Sequence, residues 1–376
     1  MNSKLNQIKS SFNLKEIFSF VKEKTKLKVI KYNKYLQNKM DVTKEDFETL
    51  NNIVVNIKLT PEYINKLKEK YNEIKNKIDN KLYDGEQKKK ELENDLYLKG
   101  QELKCRFLGA PFFNQNLEFI KVYLDDLLVE NSRFFIDFLK QEKIPVKIKV
   151  TIDKKSNIKD FFCMFAKCRA ISELQFLRIN TKEITSMNYM FYDCINLKSL
   201  DLSDFETNEL TNMFGMFKNC QKLENLKLSD TFITSKVTNM QYLFEDCWAL
   251  SSIDLHKFDT SKLDCTVYMF KNCKNLVNLD VSNFNTDNVY ETHAMFEGCE
   301  KLANVNLPPF KTDKLKSITN LFYKCKNLFN IDLSGFNFEK LEETENCLAE
   351  CPAMVKLKKN SKLATLIPAD KIIYVD

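Results

Sequence analysis

Twelve cysteines are the residues with the most chemical potential in this 376-residue chain, and eight of them keep time. They close the pentapeptides MFAKC (Cys168), MFYDC (Cys194), MFKNC (Cys220), LFEDC (Cys247), MFKNC (Cys273), MFEGC (Cys299), LFYKC (Cys325) and the degenerate CLAEC (Cys351). The interval is 26 residues, except for 27 between Cys220 and Cys247. Cysteines in such a column can form disulfides, cage a metal, supply a nucleophile or fill space. A zinc cage needs paired ligands. The other cysteines (Cys105, Cys163, Cys265 and Cys347) form no C-x-x-C pair, and there are only two histidines, His256 and His293. A thiol nucleophile needs a neighbouring base, and two histidines in unrelated repeat phases give it little. The six glycines are scattered singly, so no phosphate-cradling loop can be assembled. The sequence therefore predicts no enzyme, no metal and no cofactor, and reads the thiols as small, tolerably apolar packing groups.

The elements that hold such a column follow the same period. Three residues before each cysteine stands Phe165, Phe191, Phe217, Phe244, Phe270, Phe296 or Phe322, with Leu348 in the last copy. Three residues after it stands an aliphatic, followed by L-x-x-L-x-L-S-x-F, as in LKSLDLSDF (197–205). The alternating L-x-L predicts a short strand, and the spacing of M-x-x-M-F-x-x-C predicts a short helix. Self-similarity at this period marks a solenoid of stacked repeats. Equivalent residues of adjacent strands would then lie about 4.8 Å apart in continuous ladders. Disulfides between rungs are geometrically conceivable but require an oxidising compartment.

The order C-x-x-L-x-x-L-x-L followed by T-x-x-V-T-x-M-x-x-M-F-x-x-C resembles the BspA-like leucine-rich repeats, closely so in VTNMQYLFEDCWALSSIDLHKFDTSKL (237–263). The resemblance covers eight copies. It implies an α/β leucine-rich-repeat solenoid, with a short strand and a short helix per repeat of about 26 residues, that binds and does not catalyse. Best-known members of that family are exported. This chain opens on MNSKLNQIKSSFNLKEIFSF, which lacks the apolar core and cleavage site of a signal peptide, and none of its 39 asparagines has Ser or Thr two positions later. Nor does any run approach the roughly 18 apolar residues of a membrane span. These features predict a cytoplasmic protein with reduced thiols.

Residues 1–142 have a different texture and are read as an all-helical N-terminal domain, ahead of a solenoid domain at 143–376. Residues 1–40 carry a net charge of +8 against +6 for the whole chain. These lysines alternate with apolar residues, and no nucleic-acid motif accompanies them, so no nucleic-acid partner is expected. In TPEYINKLKEKYNEIKNKIDNKL, the residues Ile64, Leu67, Tyr71, Ile74 and Ile78 follow 3-4 spacing, with Thr60 as N-cap and Pro61 at the first helical position. This predicts a helical hairpin at about 60–106, turning at Asp84-Gly85. The chain is expected to be a monomer, with that hairpin as an alternative dimer contact. Further helices are expected at 114–129 and 131–141. Strand VKIKVTI (146–152) and the helices before it would cap the first repeat, and KLATLIPADKIIYVD would close the far end.

Function is therefore expected at a surface, as protein–protein recognition by the concave face of the solenoid. Its outward column reads Asp201, Lys227, Asp254, Asp280, Asn306 and Asp332, followed two residues on by Ser203, Ser229, His256, Ser282, Pro308 and Ser334. This column is either an acidic groove for a basic partner or simply the polar side of the repeat. Lys227, His256, the inserted residue and the single tryptophan, Trp248, break the pattern in repeats three and four. As an alternative, segment 14–40 resembles an F-box, with Ile17, Phe18, Phe20 and Val21 as its recruiting core, though it lacks the leading Leu-Pro. That layout implies a ubiquitin-ligase substrate adapter.

Overall fold

The computed structural model describes residues 53–79, 108, 110–124, 127–129, 148–153, 156–307 and 312–375. In it, the L-x-L segments pair in parallel, one repeat apart. Strands β5 (Ile171–Arg178), β6 (Ser199–Leu202) and β7 (Asn225–Leu228) set Leu174 opposite Leu200 and Leu200 opposite Leu226. Strand β8 (Asn278–Asp280) pairs with β9 (Asn304–Asn306), and β10 (Asn330–Asp332) pairs with β11 (Met354–Lys358). A second parallel ladder runs down the other side of the stack. It consists of seven bridges through Asp160, Ser186, Asn212, Asn239, Cys265, Glu291, Ser317 and Glu343. The repeats therefore form a β-solenoid.

The expected short helix in each repeat is not there. Each M-x-x-M-F-x-x-C segment is a run of tight turns closed by i→i+3 bonds, such as Met190 N to Met187 O (3.1 Å) and Cys194 N to Phe191 O (3.2 Å). Two residues per copy take left-handed backbone: the fifth before the cysteine (Tyr189, φ 55°; Tyr242, φ 59°) and the one immediately before it (Asp193, φ 62°; Asn219, φ 61°; Gly298, φ 71°). A right-handed helix cannot pass through such residues. The turns stack on one another instead, through Phe191 N to Met216 O (2.9 Å), Phe217 N to Leu243 O (3.0 Å) and their counterparts in later copies.

This stacking turns the phenylalanine column into the axis of the core. Phe165, Phe191, Phe217, Phe244, Phe270, Phe296 and Phe322 are all buried. Consecutive rings lie 5.3–5.9 Å apart and within 12° of parallel. Offset stacking of this kind adds about 0.5–1.5 kcal/mol per pair beyond the area it buries.

The N-terminal part is not all helical. Strand β1 (Ile53–Leu59) lies between β5 and the antiparallel strand β4 (Ile148–Ile152), giving the sheet order β3-β2-β4-β1-β5-β6-β7. The expected helix at 114–129 is replaced by a short helix α2 (Ala110–Asn116), then β2 (Ile120–Leu124) and β3 (Leu127–Val129). IKVYL alternates and pairs with β4, and tertiary pairing overrides its local helical reading. The strand expected at 146–152 is present as β4, but it meets the solenoid only through β1. Helix α1 (Pro61–Asp79) forms where expected. Thr60 does not cap it through its hydroxyl, which is buried without a partner. Its backbone carbonyl instead accepts the Ile64 N–H (3.2 Å). The second arm of the hairpin, the segment at 131–141 and residues 14–40 lie outside the described residues.

At the far end β12 (Ile372–Val375) pairs with β11, as a closing segment should. Two lysines supply donors to carbonyls of the last turns. The Lys362 ammonium bonds Leu341 O (2.6 Å) and that of Lys371 bonds Cys351 O (2.5 Å). No helix among the described residues is long and apolar enough to cross a membrane.

Candidate functional site

The cysteine column is settled by its hydrogen bonds. Each thiol from Cys194 to Cys325 points to the phenylalanine carbonyl of the preceding repeat: Cys194 Sγ to Phe165 O (3.1 Å), Cys220 to Phe191 (3.1 Å), Cys247 to Phe217 (3.2 Å), Cys273 to Phe244 (3.2 Å), Cys299 to Phe270 (3.1 Å) and Cys325 to Phe296 (3.1 Å). A thiol suits this position because it is small, apolar and still carries one weak donor. Burial pushes the Cys299 thiol up to about 12 and raises the others too, which disfavours the thiolate form. All eleven described cysteines are free and buried. No cluster of three or more metal-ligating side chains occurs among the described residues.

The threonine column belongs to the same scaffold. Thr181, Thr207, Thr234 and Thr260 are buried, and each hydroxyl donates to a carbonyl of the next repeat: Glu206 O (2.8 Å), Ile233 O (2.8 Å), Asp259 O (2.8 Å) and Asn285 O (3.0 Å). Only the stacked structure shows that they bond across repeats.

The outward column is brought into line by the strand register, with Asp201 opposite Lys227, Asp280 opposite Asn306 and Asp332 opposite Lys356. Its aspartates have a local task. Oδ1 of Asp201 accepts the Ser203 N–H (2.8 Å), Asp280 that of Ser282 (2.9 Å), Asp332 that of Ser334 (3.0 Å) and Asp254 that of His256 (3.1 Å). These are Asx turns, in which a short acidic side chain closes the bend after each strand. Bonds from the Ser282 and Ser334 hydroxyls and backbone N–H groups hold the Asp280 and Asp332 carboxyls below the ordinary value. His256 fits the same pattern, its ring Nδ1 lying 2.5 Å from Asp254 Oδ1.

Between Asp201 and Asp332 two rungs lack the aspartate, and each is the last strand of its sheet. Lys227 lies on β7 and Asn306 on β9. In the first, Ser229 turns inward to Phe205 O (2.5 Å), beside Thr231 (3.0 Å), where the inserted residue is accommodated. The Lys227 ammonium leans back on Asp201 (3.5 Å). In the second, the residue two positions on is Pro308, which has no N–H to donate. Trp248 stays exposed, with Nε1 on Asp246 (3.3 Å) and the Lys274 ammonium over its ring (4.8 Å).

Across the first four rungs the outward sheet face forms a groove of about 890 Å³. It runs from Asn56 and Lys58 on β1, over Glu173, Asp201 and Lys227, to Ser252–Asp254. The contribution of β1 was not legible in the sequence. The alternation IVVNIKL is a strand signal, but nothing local says that it joins a sheet more than a hundred residues away. The alternative site at Ile17, Phe18, Phe20 and Val21 falls outside the described residues.

The repeat pattern of a family described as "Mycoplasma protein of unknown function, DUF285" matches residues 138–253 and again 238–360. The chain belongs to that family. The two DUF285 matches overlap around repeat four and together run from just before β4 to just past β11, so they cover the solenoid and leave β1 to β3 outside. No curated protein and no solved structure matches the chain.

Proposed function

We propose that this DUF285 chain is a non-enzymatic protein–protein interaction scaffold, a leucine-rich-repeat solenoid of the BspA-like kind, that recognises its partner on the outward sheet face. The groove carries the reading. It is a large concavity, and its rim carries polar side chains held in register by the strands. Elsewhere on the solenoid the thiols are buried and engaged with carbonyls, and outward aspartates such as Asp280 and Asp332 are engaged in Asx turns, which supports a reading without catalysis. The Sγ–H to carbonyl column requires reduced thiols, which supports a reducing compartment such as the cytoplasm.

The test is affinity purification from native lysate with the full chain and with Glu173→Lys/Asp201→Lys/Asp254→Lys. Loss of a partner in the variant, with the fold intact by circular dichroism, supports the scaffold reading; an unchanged partner set removes it. Recovery of ubiquitin-ligase subunits that depends on residues 14–40 would support the adapter reading instead.

A further inference from the structure

Resting on the scaffold reading, we propose that the groove over rungs one to four takes an extended basic peptide, with an aliphatic side chain seated at the seam between rungs three and four. The seam is a discontinuity in the sheet. Among the described residues no backbone hydrogen bond joins β7 to residues 251–255, and Ser252–Asp254 occupies the strand position without forming a strand. Behind it the turns remain stacked, through Phe217 N to Leu243 O (3.0 Å) and the bridge from Asn212 to Asn239. The gap therefore opens only on the groove side. Its consequence shows in some of the inward-facing aliphatics. Leu200, Leu202, Leu255, Leu279 and Val281 are buried, whereas Leu226, Leu228 and Ile253 are only half-buried. Leu226 and Ile253 form part of the groove floor.

The rim supplies the charge preference. Four carboxylates line the groove (Glu173, Asp201, Glu224 and Asp254) against two lysines. Both lysines are already paired, Lys58 with Glu173 (2.7 Å) and Lys227 with Asp201 (3.5 Å). This leaves Glu224 and Asp254, one on each side of the seam, as the groove carboxylates not paired with a groove lysine. Asp254 is held by its Asx turn through Oδ1 alone, so its second oxygen is available. A carboxylate already fixed in one orientation loses little further freedom on binding a cation. The five strand positions from β1 to rung four span about 19 Å at 4.8 Å per step. That matches roughly six residues of extended chain.

The experiment uses the full chain and a fluorescein-labelled peptide, KSKLKSK, read by anisotropy. Binding is expected for KSKLKSK, with at least tenfold weaker binding for KSKSKSK and none for ESELESE. Glu224→Gln/Asp254→Asn keeps the shapes and the Asx acceptor, and should weaken KSKLKSK at least tenfold while reducing its salt dependence. Asp332→Asn, outside the groove, should leave binding unchanged. No binding of KSKLKSK to the wild-type chain, equal binding of ESELESE, equal binding of KSKSKSK, or full binding to the double variant would overturn the inference. If Asp280→Lys/Asp332→Lys abolished capture of the lysate partner while Glu224→Gln/Asp254→Asn did not, the scaffold reading would stand and the seam site would fall.

Discussion

At the residue scale, the two left-handed positions in each turn explain sequence choices that look arbitrary. Asn, Asp and Gly recur directly before the cysteine because they tolerate positive φ better than other residues. Gly298→Ala would press a Cβ against Asn272 Oδ1 at φ +71°, and should cost about 1–2 kcal/mol in urea unfolding. The reverse change, Lys324→Gly at φ 62°, relieves a strained position and should be neutral or stabilising despite the added unfolded-chain freedom. Cys273→Ala removes a small buried group and one weak donor. It should cost about 1–2 kcal/mol, because Phe244 O keeps the Cys247 N–H (3.1 Å). Thiol-reactive dye should label the solenoid cysteines of the unfolded chain and not those of the native one. The Asx aspartates set the acid limb of stability. A carboxyl held low in the fold stabilises it above the unfolded-state value and loses that contribution as pH falls through the folded value. The thermal midpoint should therefore decline below about pH 4, and less steeply in Asp280→Ala/Asp332→Ala.

At the element scale, the unit of stability is a rung and its two neighbours. Phe244 contacts both Phe217 (5.3 Å) and Phe270 (5.6 Å). Phe244→Ala should cost about 3–5 kcal/mol and uncouple the two halves of the stack, seen as a second transition in urea. Strand β1 is equally central. It carries antiparallel ladders on both sides, to β4 and to β5. A chain lacking residues 1–59 exposes both edges and should associate or aggregate in size-exclusion chromatography, because unpaired strand edges template pairing. For the same reason a chain begun at residue 143 is not a clean solenoid. The helix signal in PEYINKLKEKYNEIKNKID could be read locally, whereas an all-helical reading of residues 1–142 misses the strand at IVVNIKL. The partner of β1 could not be read locally, because β-pairing depends on which surface the rest of the chain leaves open.

For the whole molecule, the period was legible because it repeats eight times. A 26-residue clock of Phe, Cys and Leu leaves no arrangement but a stack, so the solenoid, its buried columns and its outward polar face all follow from the amino-acid order. Even the irregular repeat was visible, as the 27-residue interval and Lys227 in place of Asp. The tertiary structure decided what one repeat cannot encode by itself. It made the M-x-x-M-F-x-x-C segment a turn, because its backbone donors are satisfied by the next repeat and not four residues back. It gave the thiols and threonine hydroxyls acceptors 25 to 30 residues away. It inserted β1 beside the first repeat, and it opened the seam beside Lys227 where the Asx turn fails. Periodicity is a local property and survives in sequence. Hydrogen-bond partners across rungs exist only once the rungs have met.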